Sequence, residues 1–431
     1  MNTFPQSKNS FLARPFLEEK NWYLLKFQLE EALEMIHPGE SVLCAERDPM
    51  RTVAVVMATL LRGGGIFLAN PDWSEHELES LNQIASFHKV FGALGVEANP
   101  TYASGFEEAR LMVPSGGSSG ALRFCVHSLD TLSAGVKQLW QFHGKADLSS
   151  INCLPLFHVS GLMPVFRACL TGGQVIFHSW SELLSGNFPS HIEGHWSLSL
   201  VPTQLGRLLR SETAVRFLHG MDVVYLGGAG PSSDLVQAIR TEKLPIHFVY
   251  GMTETAAMAV IGSRAESTPG GRIWGSPLPG VSAQLTEDGE IVLRSDSVFR
   301  GYYPEDSTRK EFATGDFGEW AGNGQLCVFG RKDFLINTGG EKVAPEEVEA
   351  ALSGLLPDRT FGVLGVTDPD WGQRVVALVE GSLDELMIQN ILETLPRYLA
   401  PFKIPKEIRS VDCLPKSALG KLDRKALKEL Y

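Results

Sequence analysis

The chain has 431 residues, of which 44% are hydrophobic and 20% are charged, as in globular proteins that bury a core. This length allows two or three domains, and the net charge of −12 argues against a nucleic-acid-binding protein, whose surface would carry basic patches. The six cysteines include no CxxC pair, so neither a zinc site nor a disulfide framework is expected. No apolar signal segment begins the chain, and its best apolar run, residues 53–61, is too short to span a bilayer. We therefore expect a cytoplasmic protein.

Helical and strand patterns alternate in the first hundred residues. Apolar residues recur at helical spacing over residues 22–36 and 52–61, and a capping box of Ser74 and Glu77 opens a third helix. Short apolar runs at residues 41–45 and 66–69 predict buried strands between them. This alternation is typical of an α/β fold with a parallel sheet covered on both faces by helices.

The middle of the chain continues this alternation. A helix is predicted over residues 129–142, and strands over residues 151–156, 174–177, 197–201, 223–226 and 246–249. Ligands of such sheets bind beyond the carboxyl ends of the strands, so polar residues that follow these strands are candidate site residues.

The pattern changes again near the C-terminus. From residue 281 the apolar period becomes two, and the turn Asp288-Gly289 predicts a hairpin in a β-rich subdomain. A helix begins at Pro345, and residues 361–366 and 375–379 are predicted strands. We predict a large domain over residues 1–332 and a small α+β domain over residues 333–431.

A run of serine and glycine interrupts the segment LMVPSGGSSGALRF, residues 111–124. Glycine lets backbone N–H groups point at one anion, and serine hydroxyls add donors for phosphate oxygens. The candidate phosphate-binding residues are Ser115, Gly116, Gly117, Ser118, Ser119 and Gly120, with Arg123 beyond them as a cation. Taken alone, a flexible surface loop is the simpler interpretation, and no Gly-Lys-Ser/Thr closes the run as in P-loop NTPases.

Further polar clusters follow the later strands. Each has an ordinary structural interpretation, such as a turn, a helix N-terminus or a surface ion pair. Small residues that leave room for a flat group against the backbone are Gly228, Ala229, Gly230 and Pro231. The next cluster is Tyr250, Gly251, Met252, Thr253 and Glu254. The tyrosine ring can stack on a base, the threonine hydroxyl can bind a phosphate, and the glutamate carboxylate can bind Mg²⁺. Groups suited to ribose hydroxyls are Asp316 and Arg331, and a basic residue near the end of the chain is Lys421.

In this order and spacing, the clusters resemble the ANL superfamily of adenylate-forming enzymes, which includes acyl- and aryl-CoA ligases, nonribosomal adenylation domains and luciferases. The resemblance runs from about residue 111 to residue 424, and its most specific parts are YGMTE (250–254), TGD (314–316) and GRKDFLINTGGEKVAPEEVE (330–349). The short chain and LPLFHVSGLM (154–163) look most like o-succinylbenzoate–CoA ligases of the cyanobacterial type, which act in phylloquinone and menaquinone biosynthesis. The serine and glycine run departs from the family loop, because its proline is absent and Arg123 stands near the place of its lysine.

The resemblance implies an ANL fold and a two-step reaction with ATP, Mg²⁺ and coenzyme A. The carboxylate attacks the α-phosphorus of MgATP, and the thiol of coenzyme A then displaces AMP. The resemblance assigns Lys421 to the carboxylate and α-phosphate, Glu254 to Mg²⁺, and Thr253 with residues 115–120 to phosphate. It assigns adenine to Tyr250 and residues 228–231, and ribose to Asp316 and Arg331. Gly251 and Met252 are also expected to bind the cofactor. It makes Asp333 a hinge, and Gly339 and Gly340 the face for the second step.

The acid is less defined by the sequence. Candidate pocket residues on the turns are His158, Ser160, Thr203, Gln204 and Arg207. For the second carboxylate of o-succinylbenzoate we favour His158, with Arg167 and Arg207 as further candidates, although a single histidine is more often structural. The alternatives are another aryl- or acyl-CoA ligase, an adenylation enzyme that loads a carrier protein, and an inactive homologue that only binds nucleotide or acyl groups. A homo-oligomer is compatible with all of them.

Overall fold

The computed structural model describes residues 14–116, 122–190, 194–231, 233–262, 273–322, 324–356, 359–416 and 422–431. These residues form three β-sheets with helices packed against them. Within these ranges, no helix has both the length and the hydropathy needed to cross a membrane. The α/β fold expected from the alternating pattern is confirmed.

The first sheet is built by the N-terminal part of the chain. Its strand order is β3-β1-β2-β4-β5, and all neighbours are parallel except β4 and β5. The elements are α1 (Glu19–Met35), β1 (Ser41–Cys44), α2 (Pro49–Leu61), β2 (Gly65–Leu68), α3 (Glu75–Ile84), β3 (Lys89–Phe91), β4 (Arg110–Gly116) and β5 (Leu122–His127). The predicted capping box is present, because the Glu77 carboxylate accepts a hydrogen bond from the Ser74 backbone N–H at 2.6 Å.

The serine and glycine run joins two antiparallel strands. β4 and β5 pair from Leu111 opposite His127 to Gly116 opposite Leu122, which places Ser115 opposite Arg123. The sequence pattern did not predict β5, because a strand that directly follows another strand breaks the helix–strand alternation. Residues 117–121, which include the predicted Gly117, Ser118, Ser119 and Gly120, lie outside the described residues.

The second sheet has 11 strands and contains the central part of the chain. Its parallel half has the order β10-β9-β8-β6-β7. The elements are α4 (Leu129–Phe142), β6 (Ser149–Asn152), α5 (Val159–Thr171), β7 (Val175–Phe177), α6 (Trp180–Leu184), β8 (Trp196–Leu200), α7 (Pro202–Leu208), α8 (Glu212–His219), β9 (Val223–Leu226), α9 (Ser233–Thr241) and β10 (Ile246–Tyr250).

The β-rich part continues this same sheet through antiparallel strands. Its order is β13-β14-β15-β16-β12-β11, and β11 pairs with β10. The strands are β11 (Val260–Ile261), β12 (Ile273–Pro277), β13 (Ser282–Leu285), β14 (Glu290–Arg294), β15 (Glu311–Trp320) and β16 (Leu326–Arg331). The predicted hairpin at Asp288-Gly289 joins β13 and β14.

The third sheet is formed by the C-terminal part, with its own apolar core. A short 3₁₀ turn, Lys332–Phe334, leads into it. The elements are β17 (Ile336–Thr338), β18 (Glu341–Val343), α10 (Pro345–Leu355), β19 (Phe361–Asp368), β20 (Gly372–Glu380), α11 (Glu385–Thr394), β21 (Glu407–Val411) and α12 (Arg424–Glu429). α10 packs against β16 and α9. The domain boundary at residue 333 stays a prediction.

Candidate active site

The carboxyl ends of four parallel strands define one edge of the second sheet. β6, β8, β9 and β10 are neighbours and run in the same direction. The segments that follow these strands carry His158, Thr203, Gly228 and Gly251, which come from three of the predicted clusters. The clusters that were predicted separately along the sequence therefore share one edge.

Two glycine-containing turns line this edge. Gly228, Ala229 and Gly230 are exposed after β9, whereas Pro231 is buried. Gly251 follows β10 where two backbone segments meet, and an added Cβ there would lie 1.7 Å from the carbonyl oxygen of Ala257. A glycine is therefore required at position 251 by close backbone packing, whatever else it does.

The short 3₁₀ turn Thr253–Thr255 is anchored on both sides. The Thr253 carbonyl oxygen lies 2.8 Å from Nε2 of His127 in β5, and the Glu254 carbonyl accepts from the Phe299 N–H at 2.8 Å. Met252 N–H donates to the Thr255 hydroxyl at 3.1 Å and so closes the turn. These contacts fix the backbone that carries Thr253 and Glu254.

The carboxylate of Glu254 is buried and faces the phosphate-loop candidates. Its Oε1 accepts hydrogen bonds from the hydroxyls of Ser115, at 3.2 Å, and of Tyr302, at 2.8 Å. Ser115 is the first residue of the predicted phosphate loop, so β4 and the Thr253–Thr255 turn meet at this carboxylate. The carboxylate is therefore a buried hydrogen-bond acceptor, and not only an acidic residue at a helix N-terminus.

Backbone strain marks the residues that follow. Ala256 and Ala257 have φ angles of 52° and 84°, in the left-handed region that costs residues with a Cβ free energy. Ala256 packs into the interior, where an added Cβ on Gly135 would lie 3.1 Å from its Cβ. Such strain persists only where surrounding contacts hold it, and it is concentrated at functional sites.

His127 is a buried residue of this site that the sequence pattern did not single out. Burial lowers the pKa of His127 to about 4, so the ring is neutral at pH 7. Because a carbonyl can only accept, Nε2 donates to Thr253, which leaves Nδ1 to accept from the Thr131 hydroxyl at 3.0 Å. The available signal was a polar ring ending an apolar strand just before a helix cap.

Arg123 stacks on an aromatic ring beside the phosphate loop. Its Cζ lies 4.2 Å from the ring centroid of Tyr302, within the range of a cation–π interaction. Its Nε is buried and has no hydrogen-bond partner among the described residues. The predicted cation of the loop is thus present on β5, opposite Ser115.

A second buried carboxylate, that of Asp316, lies on β15. The Tyr250 hydroxyl donates to its Oδ2 at 2.7 Å, and Arg331 Nη1 lies 3.8 Å from its Oδ1. Asp316 and Arg331 are cross-strand partners of β15 and β16, which explains why motifs fifteen residues apart meet. Burial raises the pKa of Asp316, against the opposing effects of Tyr250 and Arg331. The Tyr250 side chain is also buried, and its hydroxyl donates its hydrogen bond to Asp316.

The C-terminal candidates lie in or before the third sheet. Asp333 is exposed in the 3₁₀ turn, 3.5 Å from Arg331 Nη2. Gly339 and Gly340 form the tight β17–β18 turn, with φ angles of 59° and 85° that favour glycine. Lys421 lies outside the described residues, although its neighbours Lys416 and Leu422 pair as an isolated bridge.

Of the acyl-pocket candidates, most lie on the edge and one lies inside the fold. His158 is half-buried at the start of α5 and packs against Phe157, with ring centroids 4.5 Å apart. Ser160, Thr203 and Arg207 are exposed. The Gln204 side chain accepts from the Val201 N–H at 3.1 Å and so caps α7. Arg167 differs, because α5 carries it into the interior, where it is 3% exposed.

The donor set fits a magnesium ion that is bound mainly through a nucleotide. Among the described residues there is no group of three or more histidine, cysteine or acidic side chains that could hold a metal alone. Mg²⁺ is usually held by one or two carboxylates together with substrate phosphates and water. The Glu254 carboxylate beside the phosphate loop meets that description.

Comparison with protein families gives two matches. The AMP-binding enzyme family matches residues 98–303, and the AMP-binding enzyme C-terminal domain matches residues 347–421. A 2-succinylbenzoate–CoA ligase of Listeria innocua is 30% identical over 323 residues, which cover 69% of this chain and 67% of that protein. The chain spans between 59% and 67% of the length of such relatives.

Solved structures share the fold over nearly the whole chain. ATP-bound MatB from Rhodopseudomonas palustris has a TM-score of 0.78 and 23% identity, and the match covers 99% of each chain. MenE from Bacillus subtilis, an o-succinylbenzoate coenzyme A synthetase in complex with ATP and a magnesium ion, has a TM-score of 0.77 and 22% identity over 96% of each chain. An arginine-to-lysine variant of E. coli MenE with bound OSB-AMS has a TM-score of 0.73 and 26% identity, covering 95% of this chain and 92% of that chain.

We predict that the free energy of unfolding decreases less between pH 7.5 and pH 4.5 when His127 is replaced by glutamine. The unfolded histidine takes up a proton below pH 6.5, whereas the folded one does so only near pH 4, so the stability present above pH 6.5 is lost as the pH falls toward 4. The difference between the unfolded and folded pKa values of His127 corresponds to about 3 kcal/mol of unfolding free energy. Urea unfolding at pH 7.5 and pH 4.5 should show the smaller decrease in His127→Gln, whose amide can still donate to Thr253. Equal decreases in both proteins would contradict the assignment. Burial also lowers the pKa of His143 to about 4, and that contribution is common to both proteins.

Proposed function

Because the chain belongs to the AMP-binding enzyme family and its relatives are AMP-forming acid–CoA ligases, we propose that it forms the CoA thioester of 2-succinylbenzoate. The acid would first be adenylated with ATP and then transferred to coenzyme A, as a step of menaquinone or phylloquinone biosynthesis. The observation that carries the choice of acid is the buried cation of Arg167.

The chemistry explains why the edge collects opposite charges. A carboxylate is a poor acyl donor, because oxide is a poor leaving group. One carboxylate oxygen attacks the α-phosphorus of ATP and pyrophosphate leaves, and the thiolate sulfur of coenzyme A then attacks the acyl carbon and AMP leaves. The first step brings two anions together, so catalysis depends on positioning and charge neutralisation.

The described residues provide groups for each part of the nucleotide. In this proposal Ser115, Thr253 and Arg123 contact the phosphates, and Glu254 holds the Mg²⁺, which neutralises phosphate charge when bound. Asp316 and Arg331 hold the ribose. The exposed turn at residues 228–231 borders the adenine.

Arg167 is a buried cation for which the described residues provide no acidic partner within 4.0 Å. Among the described residues, its Nε and Nη1 have no hydrogen-bond partner. Its nearest aromatic contact is Tyr225, whose ring centroid lies 5.8 Å from its Cζ. The Tyr225 hydroxyl donates its hydrogen bond to Nε2 of His143 at 2.6 Å, because the His143 ring is neutral at pH 7 and can accept there. Burying such a charge costs free energy unless an anion compensates it.

The helix α5 connects Arg167 to the candidate active site. Met163 lies one helical turn before Arg167, on the same face of α5. An added Cβ on Gly135 would lie within 3.4 Å of both Met163 Cε and the Ala256 carbonyl oxygen, so Met163 and Ala256 flank one point of α4. Ala256 directly follows the Thr253–Thr255 turn. In this proposal the acid extends from this turn along α5 toward Arg167.

A dicarboxylic acid would provide an anion for each end of this arrangement. One carboxylate would react at the phosphates, and the second would accept hydrogen bonds from Nε and Nη1 of Arg167, since a guanidinium binds carboxylates in a fork-like geometry. His158, at the start of the same helix, would border the acid between the two ends. The name of the Listeria ligase and the OSB-AMS complex of E. coli MenE support 2-succinylbenzoate as this acid.

The alternatives differ in what they bind or load. Another aryl- or acyl-CoA ligase would accept a monocarboxylic acid and would leave Arg167 uncompensated. A carrier-loading adenylation enzyme would carry out ATP–pyrophosphate exchange but would not form a CoA thioester. An inactive homologue would show no exchange, although the retention of Glu254, Asp316 and Arg331 argues against this.

We predict ATP–pyrophosphate exchange with 2-succinylbenzoate but at least about tenfold weaker exchange with benzoate or butyrate, since a charged hydrogen bond at Arg167 contributes about 1.5–3 kcal/mol. Arg167→Met should raise the KM for 2-succinylbenzoate at least about tenfold without lowering the melting temperature, because an unpaired buried charge is removed. A panel of acids with both proteins measures this.

The matched control is Arg216→Met, which removes an exposed arginine on α8 and should change neither the KM nor the melting temperature. Exchange with monocarboxylic acids that equals exchange with 2-succinylbenzoate would contradict the proposed acid. The absence of exchange with any acid would contradict the enzyme.

We also predict that Lys421→Ala slows adenylate formation by at least about 10²-fold, the scale of losing one charge contact made in the transition state. Thioester formation from supplied acyl-AMP should largely survive, because the family resemblance gives this lysine a role in the first step only. Single-turnover assays of each half-reaction test this. Equal losses in both half-reactions would show that Lys421 does not have this role.

A further inference from the structure

Tyr302 lies between the two charged residues of the proposed phosphate site. Its ring supports the Arg123 guanidinium, with Cζ 4.2 Å from the ring centroid, and its hydroxyl donates to Glu254 Oε1 at 2.8 Å. Among the described residues, no ion pair of 4.0 Å or less joins Arg123 to Glu254. The tyrosine therefore contacts a cation with its face and an anion with its edge.

The segment that carries Tyr302 is itself fixed to both partners. Its backbone pairs with β5, because the Arg300 N–H donates to the Val126 carbonyl at 2.8 Å and the Tyr303 N–H donates to the Phe124 carbonyl at 2.9 Å. Cys125 and Tyr302 face each other as an isolated bridge. Phe299 also bonds the Glu254 carbonyl. The residues 299–303 thus tie β5, which carries Arg123, to the turn that carries Glu254.

We propose that Tyr302 is a positioning residue that holds the Arg123 cation and the Glu254 carboxylate at a fixed separation, so that both remain available to a metal-bound triphosphate. Without the ring between them, a flexible guanidinium and a nearby carboxylate would attract each other and neutralise both charges. With the ring in place, the guanidinium keeps its donors for phosphate oxygens, and the carboxylate keeps its charge for the metal. This inference rests on the proposed function, because it takes Arg123 and Glu254 as phosphate and metal contacts.

The two halves of the side chain have separable effects. Tyr302→Phe keeps the ring below Arg123 and removes only the hydroxyl that orients Glu254. Tyr302→Leu removes both, which releases Arg123 toward Glu254. The matched control is Tyr303→Phe, the adjacent tyrosine, whose ring packs against Phe67 in the first sheet with centroids 4.9 Å apart.

The test is isothermal titration calorimetry of α,β-methylene-ATP with and without Mg²⁺, so that binding is measured apart from turnover. For Tyr302→Phe we expect the strengthening of affinity by Mg²⁺ to fall about tenfold, the equivalent of one charged hydrogen bond, while Mg²⁺-free affinity stays within about twofold. For Tyr302→Leu we expect Mg²⁺-free affinity to fall as well. Tyr303→Phe should match the wild-type protein in both titrations.

The outcomes separate this inference from the proposed function. If Mg²⁺ strengthens the affinity of Tyr302→Phe for the ATP analogue as much as that of the wild type, the positioning role is wrong even though the enzyme assignment stands. If the wild-type protein binds no ATP analogue, the proposed function fails and this inference with it. Equal loss of both affinities in Tyr302→Phe, with a lowered melting temperature, would indicate a purely structural role and would also overturn the inference. Tyr302→Phe keeps the packed ring, so the test does not depend on the Leu variant folding.

Discussion

The candidate site depends on the burial of two carboxylates at one edge of the second sheet. A buried carboxylate is stable only when hydrogen bonds or cations compensate for its lost hydration. Here each carboxylate receives a tyrosine hydroxyl: Tyr302 donates to Glu254 and Tyr250 donates to Asp316. Both tyrosines come from segments distant in sequence from the carboxylates they serve. The tertiary fold therefore holds these two carboxyl groups in place before any ligand binds.

Much of the fold could be predicted because most helices and strands have a local signal in the sequence, such as apolar periodicity, a cap or a turn. Helix α4 begins and ends at the predicted residues, and the strand at residues 223–226 agrees with β9. The strand β5 was missed, since the short apolar segment after the serine and glycine run looks like a continuation of the loop. The sequence also did not predict that the second sheet continues into the β-rich part, because the pairing of β10 with β11 leaves no periodic signal in the sequence.

The site was predictable where motifs follow strands and not where it is assembled by pairing across the fold. Tyr250 and Glu254 were candidates because an aromatic ring and a carboxylate follow a predicted strand. Asp316 was a candidate because it ends the TGD motif. Tyr302 and His127 were not, because their importance comes from contacts with Glu254 and Thr253 that lie 48 and 126 residues away along the chain. The burial of the Arg167 guanidinium, whose Nε and Nη1 have no hydrogen-bond partner among the described residues, is visible only in the folded structure. Each of these is a consequence of packing rather than of local sequence.

We propose that Glu254 and Asp316 mark the phosphate and ribose ends of one nucleotide site. A crystal structure of the protein with ATP and Mg²⁺ tests this most directly. We expect a magnesium ion coordinated by Glu254, ribose hydroxyls hydrogen-bonded to Asp316, and adenine beside residues 228–231. A nucleotide bound elsewhere, or one whose ribose and metal contact neither carboxylate, would contradict it.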